Sequence, residues 1–499
     1  MTQVSDRPAS KLLSDLGLTT PGTGGLRVTG LAVDSRQVKP GYLFAALPGT
    51  AVHGADFAGQ AIERGAVAIL TDREGAVRLR GTTAEIIAAE DPREALAFAA
   101  ALWSESQPEI MVAVTGTNGK TSVATFTRQL WQAMGAEAVN LGTTGVEGAV
   151  TMPLSHTTPE PITLHRTLAK IADAGVTHAA MEASSHGLRQ RRLDGVRLAA
   201  AGFTNITQDH LDYHPTFEDY FDAKCELFTR VLPEDGTAVI NIDDPRGEEV
   251  ADIADMRGQD VLTVGHGSDA ALRITGQRFD ATGQDLRFEW GGKPQMTRLE
   301  LLGGFQADNA LMAAGLCIAT GSDPAETFAA LKHLRTVRGR MQFAARRENG
   351  AAVFVDYAHT PDALATALKA MRPHVLGRLH VVFGAGGDRD RGKRPLMGEA
   401  AARHADIAIV TDDNPRSEDP AEIRRAVLAG TRGWTAEVSE VGDRAEAILR
   451  AVDALGPGDA LLVAGKGHET GQIVGDAILP FDDVEQASVA VAALEGRMP

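Results

Sequence analysis

The chain has 499 residues, 43% of them apolar, and a formal net charge of −17 from 49 Lys and Arg against 66 Asp and Glu. That length exceeds one hydrophobic core and predicts two to four domains. The acidic balance argues against a broad nucleic-acid surface, while still allowing anionic small substrates held by a local cluster of cations and backbone N–H groups. No run of eighteen apolar residues occurs, so no membrane span is predicted. The opening MTQVSDRPASKLLSDL has no basic stretch followed by an apolar one, so no signal peptide is expected. Cys225 and Cys317 are far apart and fit no metal spacing, which suits a reducing cytoplasm.

Three α/β units are expected in chain order. Residues 1–89 open with short strands around a tight turn at Pro40-Gly41, and AGQAIERGAVAILT then reads as a helix followed by a buried strand. Asp91 and Pro92 form a helix start and a boundary, with Asp91 as N-cap and Pro92 at the first helical position. Residues 90–336 open their core with the strand IMVAV and alternate between strand and helix; from about 258 to 302 the alternation of apolar and polar residues adds an antiparallel piece. Residues 337–499 carry four buried runs, AVFVDYA, LHVVFGAGG, ADIAIVTDD and DALLVAGKG, separated by helical stretches. Such alternation predicts a mostly parallel sheet covered on both faces.

The strongest chemical signal is Val114-Thr115-Gly116-Thr117-Asn118-Gly119-Lys120-Thr121-Ser122, between a strand and a helix. In that context glycines let the backbone approach phosphate oxygens, and the helix N-terminus adds partial positive charge. Lys120 can bind the β and γ phosphates and Thr121 can ligate Mg²⁺. The first glycine of a standard phosphate loop is Val114 here. Glu182 ends an apolar run at the carboxyl end of a predicted strand, where α/β sheets place ligands. A carboxylate there can hold Mg²⁺, and His210 is a second candidate ligand; taken alone, either residue reads as a capping acid or a satisfied histidine.

Thr216 and Asp219 form a capping-box-like start to PTFEDYFDAKCELFTRVL. On that helix Phe217, Tyr220, Phe221, Leu227, Phe228 and Val231 make one apolar stripe with Lys224 in its middle. A buried ammonium is costly unless paired or neutralised; a snorkelling lysine or a buried ion pair are the plain alternatives. In the third unit three turns after buried strands carry Gly386-Gly387-Asp388-Arg389, Asp413-Asn414-Pro415-Arg416 and Gly465-Lys466-Gly467-His468-Glu469. Turns favour Gly, Asp and Asn for backbone reasons, but two arginines and a glutamate in three such turns point to a site for a zwitterion with an extra carboxylate.

TGTNGKT, with its short glycine spacing, resembles the ATP loop of the Mur ligases and the related folylpolyglutamate synthetases. HTTPE, MEASSHGL, NITQDHLDYH, YFDAK, GGFQADNALMA, GRMQ, VDYAHTPDAL, GAGGDRDRGKRPLMG, TDDNPR and AGKGHE extend the resemblance in order along all three units. SSHGL, NITQDHLDYH and DNPR together favour the cell-wall branch. The resemblance implies a small N-terminal UDP-sugar-binding domain over 1–89, a central P-loop-type ATPase domain with a mainly parallel sheet over 90–336, and a C-terminal Rossmann-like amino-acid-binding domain over 337–499. It implies a cytoplasmic, monomeric ligase of peptidoglycan synthesis that uses ATP and Mg²⁺ and adds meso-diaminopimelate to UDP-N-acetylmuramoyl-L-alanyl-D-glutamate through an acyl phosphate. The lysine-adding ligase and a folylpolyglutamate-type ligase are the alternatives.

By the same resemblance Gly116, Thr117, Asn118, Gly119, Lys120, Thr121, Ser122, Asn309, Arg340, Asp356, Tyr357 and His359 are expected at ATP. Ser35, Thr157, Thr158, Ser184, Gln190 and Arg192 are expected at the UDP-muramoyl-dipeptide, and Arg389, Asp413, Asn414, Pro415, Arg416, Gly465 and Glu469 at diaminopimelate. Lys120, Glu182, His210 and Lys224 are the expected catalytic group, with Lys224 carrying CO₂ as a carbamate and Thr121, Glu182, His210 and the carbamate facing the metal. Domain closure is expected, because the ATP loop and the amino-acid site fall in different units.

Overall fold

The structure is a computed structural model that describes residues 10–19, 25–49, 52–209 and 213–497. The chain divides into two compact units, one of 1–273 with 311–327 and one of 274–310 with 328–499.

In the first unit, the strands Gly30–Ala32, Tyr42–Ala45, Ala68–Thr71 and Glu85–Ala88 form a parallel sheet in chain order. Leu43, Ala45, Ala68 and Leu70 fill one of its faces, and Phe44, Ile69 and Ala61 the other. The helix Pro92–Ser104 follows, with the Asp91 carboxylate accepting from Arg93 N and Glu94 N as its N-cap; such a cap is worth about 1 kcal/mol.

The larger sheet of this unit runs in the order 260–265, 237–241, 200–203, 110–115, 178–182, 138–142, 145–148. All neighbours are parallel except the last pair. Met111, Ala113, Val139, Ala179 and Met181 pack beneath Leu164, Leu168 and Ile171 of the helix Pro161–Asp173. Strands buried on both faces read as nearly continuous apolar runs, which is why IMVAV was legible. Their carboxyl ends deliver residues 116–121, 143–144, 182–184 and 204–209 to one edge, where parallel sheets hold ligands.

In the second unit, Gly283–Trp290 and Lys293–Leu299 form the antiparallel ladder that the alternating sequence predicts. A six-stranded sheet follows, in the order 342–346, 352–356, 460–464, 379–383, 407–410, 437–440. Only its first pair is antiparallel. The four apolar runs are its four central strands. The edge strands Gln342–Arg346 and Glu437–Glu440 and the hairpin Gly471–Val474/Ala477–Pro480 carry no comparable apolar run and were not legible. Among the described residues no helix is long and apolar enough to cross a membrane.

Candidate active site

The phosphate loop follows the strand Ile110–Thr115 and enters the helix Lys120–Ala133. Gly116 has φ 144°, and a Cβ there would lie 1.9 Å from Thr204 Oγ1, so no side chain fits. Gly119, at φ 87°, is the helix N-cap. The loop rests on Thr204 and on Asn205, the first residue of NITQDHLDYH, whose role the motif did not tell: Thr117 N donates to Asn205 O (2.8 Å), Asn118 N to Asn205 Oδ1 (2.9 Å), and Thr204 Oγ1 to Asn118 O (2.6 Å). Lys120 Nζ bends back to the carbonyls of Gly116 and Thr117, 2.9 Å from each. Thr121 and Ser122 are buried in the first turn. The loop is thus a ring of backbone around a helix N-terminus with a lysine tethered over it, an arrangement suited to a polyphosphate.

Lys224 lies at 1% exposure on the helix Phe217–Glu226, which excludes a snorkelling side chain. Its Nζ donates to Gly116 O at 2.8 Å and stands 4.4 Å from the Tyr220 ring centroid. Among the described residues no carboxylate lies in salt-bridge contact with it, although the charge of Asp209 acts on it. Burial, reinforced by the positive charge of Lys120, pushes its ammonium well below the ordinary lysine range. Thr216 is the N-cap as expected, accepting from Asp219 N. The Asp219 carboxylate does not close a reciprocal box: it bonds Arg189 and His214 Nδ1 instead.

Glu182 is 2% exposed and accepts from Thr143 N (2.8 Å) and Thr143 Oγ1 (3.3 Å). A Cβ on Gly142 would lie 2.0 Å from Glu182 Oε1, so the glycine makes room for the carboxylate. Thr143, another residue that the motifs missed, also bonds Thr157 Oγ1 at 3.0 Å. Thr158 Oγ1 donates to Glu182 O, and Ser184 N donates to Thr158 Oγ1 at 3.1 Å. Ser184 is the N-cap of the short helix Ser185–Arg189, a structural duty that any ligand contact shares. Arg192 donates to Thr158 O (2.6 Å) and Gln190 Oε1 (2.8 Å), and Gln190 Nε2 donates to Tyr213 OH (3.1 Å). Thr157, Thr158, Ser184, Gln190 and Arg192 therefore lie in one network at the edge that carries Glu182. His210 lies outside the described residues.

Ser35 is on the wall of a cavity of about 580 Å³ with Asp34, Arg36, Phe44, Phe57 and Gln60. Its Oγ donates to Gln60 Oε1 at 2.6 Å. Aromatic and aliphatic walls with a few polar groups suit a flat heterocycle.

In the second unit, Asn309 is buried on the helix Phe305–Ala319, its amide held by Gln306 Oε1 at 3.2 Å. The Asp356 carboxylate accepts from Met341 N (2.7 Å) and Ala358 N (2.9 Å). The Arg340 guanidinium stands 4.8 Å from the centroid of the Tyr357 ring, which also lies against His359 (4.5 Å) and His468 (4.9 Å) in tilted contacts. Thr360 caps the helix Pro361–Met371, its side chain accepting from Ala363 N.

The three polar turns meet at the carboxyl ends of 379–383, 407–410 and 460–464. An ideal Cβ on Gly386 would be 2.9 Å from Arg416 Nη1 and 3.8 Å from Arg389 Cγ, so the Arg416 guanidinium and the stem of Arg389 pass beside it. Arg416 Nη1 donates to Gly387 O at 2.8 Å, while its backbone takes φ 51°. Asn414 Nδ2 donates to Glu469 Oε2 at 2.9 Å, and Asp413 and Pro415 are buried beside it. Gly465, at φ 119°, leaves room for Asp413: a Cβ there would fall 2.5 Å from Asp413 Oδ2. The edge thus brings the Arg416 guanidinium and the Arg389 stem together with the carboxylates of Asp413 and Glu469, a set of both signs suited to a zwitterion.

A phosphate loop on one sheet edge and a zwitterion site on another are the parts of an ATP-dependent ligase that joins an acid to an amino acid. Three family models match: the Mur ligase family catalytic domain over 27–104, the Mur ligase middle domain over 114–317, and the Mur ligase glutamate ligase domain over 339–467. The chain is 52% identical over 477 residues to the UDP-N-acetylmuramoyl-L-alanyl-D-glutamate–2,6-diaminopimelate ligase of Bradyrhizobium diazoefficiens, covering 95% of this chain and 96% of that protein. It is 50% identical to the same ligase of Caulobacter vibrioides over 98% and 99% of the two chains. A solved structure of a UDP-N-acetylmuramoyl-L-alanyl-D-glutamate–2,6-diaminopimelate ligase superposes with a TM-score of 0.72 at 32% identity, covering 97% and 99%. The chain belongs to the Mur ligase family.

Proposed function

We propose that the chain ligates meso-diaminopimelate to the D-glutamyl γ-carboxylate of UDP-N-acetylmuramoyl-L-alanyl-D-glutamate, with ATP converted to ADP and phosphate, in cytoplasmic peptidoglycan synthesis. The observation that carries the choice of amino acid is the placement of the Arg416 guanidinium, with the Arg389 stem, beside Gly386, near Asn414 and Glu469. A guanidinium fork matches a carboxylate, and diaminopimelate differs from lysine by one carboxylate at the end far from the reacting amine. The lysine-adding reading supplies no second carboxylate for a guanidinium to meet. The relatives at about half identity carry the diaminopimelate-ligase name.

The substrate carboxylate attacks the γ-phosphorus of ATP, ADP leaves, and an acyl phosphate forms. The uncharged amine of diaminopimelate then attacks the acyl carbon, and the C–O bond to phosphate breaks. Lys120 at the loop offsets charge on the phosphates, so its part is positioning and electrostatics. Arg340 and Asn309, with Asp356, Tyr357 and His359, serve the nucleotide from the second unit. Ser35 serves the uridine end, and Thr157, Thr158, Ser184, Gln190 and Arg192 the muramoyl-dipeptide.

The oxygen donors of Thr121 and of the buried Glu182 suit a hard divalent cation. They, with His210 and a carbamylated Lys224, would hold Mg²⁺, which when bound offsets phosphate charge. Lys224 fits the modification: burial and the charge of Lys120 favour its uncharged form, and an uncharged amine is the form that adds to CO₂. The domain division at 1–89, 90–336 and 337–499, and a monomeric state, complete the proposal.

The test is phosphate release by the purified chain with an amino-acid panel. Release that requires ATP, the UDP-muramoyl-dipeptide and diaminopimelate together is expected. Equal use of lysine would remove the choice of amino acid and leave the ligase.

A further inference from the structure

One buried lysine of the second unit has no part in the proposed chemistry. Lys466 follows Gly465 after the strand Ala460–Ala464, and its relative exposure is 0%. An ammonium carries three donors, and three acceptors surround this one: Asn414 Oδ1 at 2.9 Å, Gly471 O at 2.7 Å and Glu469 Oε2 at 3.5 Å. Full burial of such a group is tolerated only with partners of this kind.

Asn414 Oδ1 accepts a second bond, from Ile473 N at 2.9 Å. Two donors on one oxygen fix the amide, because a flipped Asn414 would aim its NH₂ at an ammonium and an N–H. Nδ2 is thereby turned to Glu469 Oε2. The same ammonium grips Gly471, the first residue of the hairpin Gly471–Val474/Ala477–Pro480. The hairpin in turn clamps Arg416: Arg416 N donates to Ile473 O at 3.0 Å, and Gly475 N donates to Arg416 O at 2.8 Å. Arg416 has the left-handed φ of 51°, which a residue with a side chain keeps only where its surroundings hold it.

We propose that Lys466 is a positioning residue for amino-acid selection: by fixing the Asn414 amide and seating the hairpin, it sets how Glu469 and Arg416 meet the incoming amino acid. The inference rests on the assignment of Asn414, Arg416 and Glu469 to the amino-acid site. Misplacing a binding group by a fraction of an ångström is enough to weaken a site of this kind.

The experiment replaces Lys466 in the full chain by Met, of similar length without donors, and by Gln, which keeps a donor for Asn414. Steady-state kinetics and amide hydrogen exchange are then read. For K466M the KM for diaminopimelate is expected to rise about tenfold or more, with the preference over lysine reduced and the KM for ATP unchanged. The amides of Arg416, Ile473 and Gly475 are expected to exchange faster, with K466Q intermediate in both readouts. A loss of kcat alone, with KM, amino-acid preference and those amides unchanged, would mean a merely structural lysine and overturn the proposal. If K466M does not fold, the same unchanged values in K466Q overturn it. A wild-type chain that ignores diaminopimelate would sink the functional reading instead, and the exchange arm would still decide the role of Lys466.

Discussion

At Gly386 a single methyl group separates two outcomes. The ideal Cβ position is 2.9 Å from Arg416 Nη1, so Gly386→Ala must displace the guanidinium while leaving the phosphate loop untouched. Its KM for diaminopimelate is expected to rise roughly fivefold, with the KM for ATP unchanged, because a small shift weakens a directional charged contact without deleting it. Arg416→Ala removes that contact, and loss of a hydrogen bond to a charged group is worth about 1.5–3 kcal/mol. The expected result is a fall of about a hundredfold in kcat/KM for diaminopimelate with little change for lysine, measured by coupled ADP release. Lys120→Ala removes the point charge at the loop. At saturating ATP its kcat is expected to fall by at least about 10²-fold in a folded variant, the scale of losing one group that stabilises transition-state charge; near-normal turnover would refute its role.

The helix Phe217–Glu226 carries the cost of a buried amine. Its Lys224 is held well below the ordinary lysine range by burial and by Lys120. Between that lowered value and the ordinary range the unfolded chain binds a proton that the folded chain does not, so this group makes stability rise with pH across that window. Above the ordinary lysine range both states are neutral and the effect vanishes. In CO₂-depleted buffer, Lys224→Met is therefore expected to be at least as stable as the wild type near neutral pH. The gap should close as pH rises towards the lysine range, by thermal denaturation at several pH values. The variant should nonetheless be inactive, and a wild type that is less active without bicarbonate would tie that loss to the carbamate. A Met variant markedly less stable at neutral pH would show that the bond to Gly116 O outweighs the burial cost.

Across the whole molecule, the cavity of about 580 Å³ beside Ser35 and the loop at Lys120 belong to different sheets of the first unit. A contact at the far end of a long substrate contributes equally before and during the chemical step, so its loss raises KM and spares kcat. Ser35→Val, which removes the hydroxyl bonded to Gln60, is expected to raise the KM for the UDP-linked substrate several-fold, with kcat nearly unchanged in initial-rate assays. A fall in kcat without a change in KM would separate that cavity from substrate binding.

The sequence by itself determined the elements that local chemistry encodes. Parallel strands buried on both faces need unbroken apolar runs, so IMVAV and the four runs of the last third were legible. Asp91-Pro92 announced its helix through a side-chain cap that acts within three residues. The phosphate loop was legible because its glycines and lysine are contiguous. Only the tertiary structure decided the rest. Asn205 holds the loop, Thr143 holds Glu182, and Lys466 holds Asn414 from distant points in the chain, and such pairings leave no periodicity to read. The stripe around Lys224 raised the question of a buried lysine and left a snorkelling side chain open. That its amine would face Gly116 O and the Tyr220 ring depended on how the strand ends came together.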